Sequence, residues 1–349
     1  MFDRLRALNE ATLAWLQGLI EARADRGVPR ETHGDLRLSH VYRLPDRSPP
    51  GDLVIVDAIE FNPGLRYADP VSDAAFLAMD LAAKGRRDLA RLFADAFLEA
   101  SGDEEGRALL PFYTSYRAAV RAKVGGITVG SAEVSEAERA AALASARSHW
   151  LLALGALEDP GETPCLVLVG GLPGAGKSTL SAGLAGRAGF QVIRTDVVRK
   201  ELAGSVAPSG FGQGLYTRDR TAATYDACRE RALAAVFDGG RVIVDASFRE
   251  EAHRRAFLDA AREWGVPCVL IFCRTDEETT RRRIAARAGQ GDASDADFAV
   301  YQRARELWEP DSPETAPFTR TIDTTAGAPA ALDAALVVLR EFGLFPNRH

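Results

Sequence analysis

Lysine is almost missing from this chain. Of its 43 lysine and arginine residues only Lys84, Lys123, Lys177 and Lys200 are lysine, so a lysine here asks for a reason that arginine does not meet, such as a compact point charge. Cysteine is also scarce: Cys165, Cys228, Cys268 and Cys273 all lie in the second half, with no C-x-x-C pair and no histidine cluster nearby. That argues against a zinc site or a disulfide framework and for buried free thiols. No apolar run reaches the roughly 18 residues that suggest a membrane span. Met1-Phe2-Asp3-Arg4 leads into no secretory segment, so a cytoplasmic protein without a membrane partner is expected. An excess of positive charge is lacking too: the net charge is −6, with 24 basic against 24 acidic residues over 165–349 and 19 against 25 over 1–164. This balance removes the electrostatic footprint of nonspecific nucleic-acid binding.

What is present reads as globular. The 349 residues, 46% hydrophobic and 26% charged, suffice for two domains with separate cores. "LEDPGETP" (157–164) combines proline, glycine and acidic residues between an alanine-rich stretch and an apolar run, so it is read as a linker between domains at 1–156 and 165–349. Before it come a helical start over about 4–25, a short strand "DLVIVDAIEF" and alanine-rich amphipathic segments between 71 and 155. After it, the strand-like runs "CLVLVG", "QVIRT", "RVIVDA", "PCVLIFC" and "TRTIDT" alternate with helical patterns. The expected class is α/β, a parallel sheet with helices on both faces, preceded by a mostly helical domain.

The segment "GGLPGAGKST" (170–179) holds G-x-x-x-x-G-K-S, with Gly171, Gly176, Lys177 and Ser178 at the required places. Glycines let backbone N–H groups converge on phosphate oxygens, and the helix start that follows adds the positive end of its dipole. Lys177 is suited to neutralise β- and γ-phosphates and Ser178 to lend an oxygen to Mg2+. Gly174, Ala175 and Thr179 complete the expected cradle, so ATP and Mg2+ are the expected ligands. The alternative, a glycine-rich turn that binds nothing, leaves the rare lysine unexplained.

In open α/β sheets ligands sit at the carboxyl ends of the strands. Asp196 follows "VIRT" and Asp245 follows "RVIV", and an aspartate so placed can hold Mg2+ through water or accept the proton of an attacking hydroxyl. Helix capping is the competing use for Asp196 and Ser247. "TDEETTRRRIAARAGQG" (275–291) reads as a helix with an acidic start and a basic end, on which Arg283 and Arg287 share a face and Gly289 and Gly291 mark a flexible exit. Two guanidinium groups there can close over a transferring phosphoryl group; the alternative is a solvated basic face paired with Glu277 and Glu278. "GSVAPSGFGQG" (204–214) is a candidate mobile loop.

Taken in order, "GGLPGAGKST", "RTDVVRK", "VIVDASF" and "RRRIAAR" resemble the small P-loop kinases that include polynucleotide 5′-kinases, gluconate-kinase-like enzymes and zeta-toxin-like kinases. The resemblance implies transfer of the γ-phosphoryl group of ATP to a hydroxyl. It further implies Asp196 as the base facing the acceptor, Arg199 as an acceptor or phosphate contact, Asp245 as the metal-site acid and Arg283 with Arg287 as lid arginines. Asp196 and Asp245 could exchange roles, and the acceptor is not named by the likeness.

Residues from about 30 to 125 resemble the carboxyl-terminal lobe of aminoglycoside phosphotransferase-like kinases. "HGDLRLSH" (33–40) matches their catalytic loop, which puts Asp35 at the position of the base. "VDAIEFNPGLRYADPVSDAAFLAMDL" (56–81) is similar to their metal-binding strand and the helix after it. His40 stands where those kinases have a Mg2+-binding asparagine, and it is a poorer ligand for a hard cation. Glu60 fits best at their metal aspartate, with Asp57 close enough to compete. No glycine-rich loop and no strand lysine precede the motif, since the first lysine is Lys84. Asp35, His40 and Glu60 are therefore expected to be vestigial, with His33 packing under the loop and Asp35 tying backbone amides. The whole order resembles the bifunctional aminoglycoside phosphotransferase/ATP-binding proteins, of which this would be a shortened member or an incomplete chain. Two readings besides a small-molecule kinase stay open: an ATP-dependent switch that phosphorylates no acceptor, and a 5′-hydroxyl polynucleotide kinase with a local basic groove.

Overall fold

The computed structural model describes residues 1–204, 217–287 and 297–346. The chain divides into two compact units, one of Met1–Glu158 with Arg262–Gly265 and one of Asp159–Ala261 with the chain from Val266 onward.

In the first unit α1 (Phe2–Asp25) is followed by β1 (Arg30–Glu31), β2 (Val41–Arg43), β3 (Leu53–Ile55), the one-turn α2 (Pro63–Arg66) and β4 (Tyr67–Ala68). Four longer helices complete it: α3 (Pro70–Ala83), α4 (Arg87–Ser101), α5 (Leu110–Gly130) and α6 (Glu136–Leu157). The short strands pair antiparallel, β1 with β4 and β2 with β3. Helix starts follow local chemistry. Asp69 accepts from Val71 N with Pro70 in the first turn of α3, and Ser135 with Glu138 forms a capping box on α6. α3 is apolar on nearly every side, and its Phe76 and Met79 are buried with Leu5, Ala118, Leu152 and Leu154 at the centre of the helices. The strand expected over 52–61 is shorter than its apolar pattern: after Ile55, Asp57 adopts φ +66° and the pairing with β2 ends. Arg23 of α1 is buried and donates to Asp69, Asp103 and Glu105.

The second unit runs β5 (Cys165–Gly170), α7 (Lys177–Ala188), β6 (Gln191–Arg194), α8 (Thr195–Ala203), α9 (Arg218–Phe237), β7 (Arg241–Asp245) and α10 (Glu251–Glu263). It continues with β8 (Cys268–Arg274), α11 (Glu277–Arg287), α12 (Phe298–Glu306), β9 (Thr319–Asp323) and α13 (Ala328–Glu341). Its five strands form one parallel sheet in the order β6-β7-β5-β8-β9, flanked by helices, which is the α/β class expected. Because both faces are covered, the central strands are apolar throughout. Val167, Val169, Ile243 and Ile271 pack with Leu180 and Leu184 of α7 and Ala335 and Leu339 of α13. The alternate residues Leu166, Leu168, Val242 and Val244 are just as buried, and by strand alternation they point to the other face. All four cysteines are buried and free. The chain leaves β5 for β6 on one side and later reaches β8 on the other, so the carboxyl end of β5 is the switch point where a crevice opens. Among the described residues no helix is long and apolar enough to cross a membrane.

Candidate functional site

The crevice at the end of β5 is occupied by the glycine-rich loop. Gly171 has φ +138°, and a Cβ on it would stand 2.5 Å from the Cys273 carbonyl oxygen. Gly176 has φ +90° and begins α7. Both demand glycine, one for close backbone approach and one for its left-handed conformation. The root of the loop is tied to β7: Gly171 N donates to Ser247 O and Ala246 N to Val169 O, each at 3.1 Å. Lys177 Nζ donates to Leu172 O at 3.0 Å, so the side chain folds back over the loop. No side chain caps the start of α7, and its first residues Lys177, Ser178 and Thr179 line the cavity beside the loop, an arrangement suited to an anion.

Asp245 closes β7, in register with Val169 of β5 and Arg194 of β6. It is 5% exposed, and its Oδ2 has no hydrogen-bond partner among the described residues. Arg194 Nε lies 3.6 Å away, too far for a hydrogen bond. Burial pushes the Asp245 carboxyl above the ordinary carboxylate range, while Lys177 and the Ser178 hydroxyl pull the other way. A buried carboxylate oxygen left without a donor, beside the serine of a phosphate loop, matches the oxygen-ligand chemistry of Mg2+. Ser178 and Asp245 therefore fit that ion.

Asp196 lies in the first turn of α8, half-buried, and it is not the N-cap, a place held by Arg194. Its charge and that of Arg199 both act on Tyr225, and Asp196 also acts on Asp245, so the fold gathers the aspartates and Arg199 at one end of the sheet. Ser247 is exposed and precedes α10 by several residues, so it caps no helix either. The sequence did not single out Tyr225. Its hydroxyl accepts from Phe248 N at 3.1 Å, meets Ser247 Oγ at 3.2 Å, and its ring stacks on His253 at 3.9 Å. Phe248 holds φ +49°, an unusual backbone for a bulky residue, and the Tyr225 contact secures it.

Beside the loop a cavity of about 390 Å³ is lined by Gly174, Lys177, Ser178, Thr179, Arg283, Thr324 and Ala328, among others. Arg283 donates to the Thr324 carbonyl at 2.7 Å, to Thr324 Oγ1 at 3.1 Å and to Gly174 O at 3.4 Å. The ion pairs with Glu277 are made by Arg281 and Arg305 instead. Ala175 is buried, and its carbonyl accepts from Thr324 Oγ1 at 2.8 Å. Thr324 was missed, although it follows the carboxyl end of β9 and the strand-end rule would have reached it. Arg287 ends α11 with its side chain outside the described residues; Gly289, Gly291 and nearly all of the loop candidate at 204–214 lie outside them too.

In the first unit the segment 33–40 is held differently from expectation. Its backbone amides are tied by Asp73 of α3, which accepts from His33 N at 2.6 Å and Gly34 N at 3.0 Å. Asp80 likewise accepts from Leu38 N at 2.9 Å. Asp35 instead accepts from Arg37 Nε at 2.9 Å, because α3 reaches the loop amides first. His40 is buried, donates from Nδ1 to Asp35 O at 2.9 Å, and places Nε2 3.3 Å from Asp57. Asp57 and Glu60 are both exposed, and the 3.3 Å approach to His40 Nε2 is made by Asp57. Among the described residues no group of three or more His, Cys, Asp or Glu could hold a metal ion.

Comparison with known proteins finds a family match within the second unit. Residues 166–310 match the AAA_33 family model, described as an AAA domain. The chain is 34% identical over 315 residues to uncharacterized proteins of Mycobacterium tuberculosis and Mycobacterium bovis, with 88% of this chain covered. It spans 61% of the length of those relatives. Among solved structures it is similar to a gluconokinase from Sinorhizobium meliloti 1021, at 22% identity over 52% of this chain and 94% of that one, with a TM-score of 0.40. It is also similar to the APS kinase of Mycobacterium tuberculosis in complex with AMPPNP and APS, at 19% identity over 50% of this chain and 97% of that one, with a TM-score of 0.37. The second unit is thus a five-stranded parallel α/β domain with a phosphate loop at its switch point, matched over most of its length by the AAA domain model.

Proposed function

We propose that the second unit is an ATP-dependent kinase that moves the γ-phosphoryl group of ATP to the hydroxyl of an acceptor. The observation that carries the reading is Asp245, buried with an orphaned Oδ2 behind Ser178 of the phosphate loop. An ionised carboxylate so placed is costly by itself, and a hard cation held with the nucleotide offsets the cost. The AAA domain match over 166–310 supports a nucleotide-handling fold.

In this reading the loop amides, the start of α7 and Lys177 hold the β- and γ-phosphates. Ser178 and Asp245 would hold Mg2+, which when bound adds positive charge beside the phosphate oxygens. Asp196, less buried than Asp245, takes the proton of the acceptor hydroxyl as its oxygen bonds to the γ-phosphorus and the bond to ADP breaks. Arg199 orients the acceptor, and Arg283 with Arg287 neutralises charge on the group in transfer. The phosphotransferase-like first unit serves as a scaffold: Asp35, paired with Arg37, and His40, held between Asp35 O and Arg37 Nη2, are committed to structure.

The test is incubation of the chain with γ-labelled ATP and a panel of sugars, aminoglycosides and 5′-hydroxyl oligonucleotides. Label is expected on an acceptor with the wild type and with Asp35→Ala, and not with Lys177→Ala. Transfer that survives Lys177→Ala and is lost in Asp35→Ala would place the chemistry in the first unit and refute the reading.

A further inference from the structure

We infer that Thr324 is a positioning residue of this site: it fixes the Arg283 guanidinium and the Ala175 turn of the phosphate loop with respect to each other. The inference rests on the reading that the cavity takes ATP.

Thr324 stands just past β9 and is 3% exposed. Its Oγ1 donates to Ala175 O at 2.8 Å and accepts from Arg283 Nη1 at 3.1 Å. Its carbonyl accepts from Arg283 Nη2 at 2.7 Å, and its N–H donates to Arg274 O at 2.8 Å. One small residue therefore joins the phosphate loop, the end of β8 and the arginine of α11. An arginine side chain with a free head samples many rotamers, and ordering it when a ligand arrives costs affinity. Two acceptors on one buried residue select a single orientation beforehand, with Nη1 and Thr324 Oγ1 both 3.5 Å from where a Cβ on Gly176 would stand. Arg283 is thus set along the cavity wall before any nucleotide enters.

The roles of the hydroxyl separate cleanly. Thr324→Val keeps the shape and removes the Oγ1 contacts, to Ala175 O at 2.8 Å, to Arg274 O at 3.2 Å and from Arg283 Nη1 at 3.1 Å, leaving Ala175 O without its donor, whereas Thr324→Ser keeps them. ATP affinity of the full chain is measured by isothermal titration calorimetry, with thermal melting as the control for folding. Thr324→Val is expected to weaken ATP about tenfold, the effect of stranding one or two buried polar groups, and Thr324→Ser to stay within about threefold of wild type. Because part of the Thr324 effect passes through Arg283, the double variant Thr324→Val/Arg283→Ala should lose clearly less than the product of the two single losses. Wild-type affinity in Thr324→Val, or losses that multiply in full in the double variant, would overturn the inference. Should Thr324→Val fail to fold, Arg283→Lys carries the same test, since a lysine cannot reach both Thr324 acceptors as a fork: a tenfold loss supports the inference and unchanged affinity overturns it. A folded wild type that binds no ATP sinks the proposed function itself. ATP binding that is lost in Lys177→Ala and intact in Thr324→Val sinks the positioning role alone.

Discussion

Lys177 Nζ donates to the carbonyl of Leu172 at 3.0 Å, five residues back along the same loop. The ammonium is thereby parked over the turn that a phosphate would occupy. In the proposed reaction a bound nucleotide would recruit it by exchanging a neutral carbonyl for phosphate oxygens, which bind a cation more strongly.

Lys177→Ala is expected to slow acceptor labelling by about 100-fold or more, the scale seen when one preorganised donor to transition-state charge is removed. Lys177→Arg should recover little, because a planar fork does not replace a point charge in a close backbone cradle. Single-turnover labelling at saturating ATP measures both.

Asp245→Asn is expected to stabilise the nucleotide-free protein while abolishing the Mg2+ dependence of ATP binding. Burial raises the folded-state pKa of Asp245, so the folded state holds its proton more tightly than the unfolded chain does. Stability from this group is therefore greatest at low pH and is lost as pH rises from about 4, the unfolded value, through the raised one. Asp245→Asn should remove that slope and raise stability near neutrality by about 1–3 kcal/mol. Urea melts of both proteins across this pH window would show no difference in slope if the carboxyl were not perturbed.

Gly171→Ala should cost about 2–4 kcal/mol and ATP binding with it, since the new methyl meets the Cys273 carbonyl and φ +138° disfavours any side chain. Gly186→Ala is the control. It lies inside α7 with nothing within 4 Å of the added methyl, and alanine there should add about 0.5–1 kcal/mol. Melting temperatures of the two variants should move in opposite directions.

Arg23→Met is expected to destabilise the first unit by about 3–5 kcal/mol, because it leaves Asp69 and Asp103 without their buried cation. The hydrogen bond from Arg23 holds the Asp103 carboxyl below its ordinary range. Its contribution is therefore complete above about pH 4 and is lost as pH falls through the depressed value. Acid unfolding followed by circular dichroism should begin at higher pH in Arg23→Met than in the wild type.

The phosphate loop could be read from the chain because its requirements are local: a strand, glycines at set intervals, a lysine and a helix start. The central strands β5, β7 and β8 were legible for a related reason, since strands covered on both faces are apolar at nearly every position, whereas the edge strands β6 and β9 mix apolar residues with Gln191, Arg194 and Arg320. Asp196 and Asp245 came from the rule that ligands gather at strand ends. Thr324, Tyr225 and Asp73 did not emerge. Thr324 follows the end of β9, where the strand-end rule points, but its partner Ala175 lies 149 residues away in the chain, and Asp73 meets His33 across 40, so no local pattern marks those contacts.

The sequence by itself determined that a phosphate loop sits between a buried strand and a helix, and that two aspartates end neighbouring runs of β-branched residues. Only the tertiary structure decided which of those aspartates is buried with one oxygen lacking a donor, that Thr324 fixes Arg283, and that Asp73 rather than Asp35 ties the amides at 33–34. Burial and hydrogen-bond partners depend on which elements become neighbours. The order β6-β7-β5-β8-β9 that sets Arg194, Asp245 and the loop side by side is a property of the folded sheet and of no stretch within it.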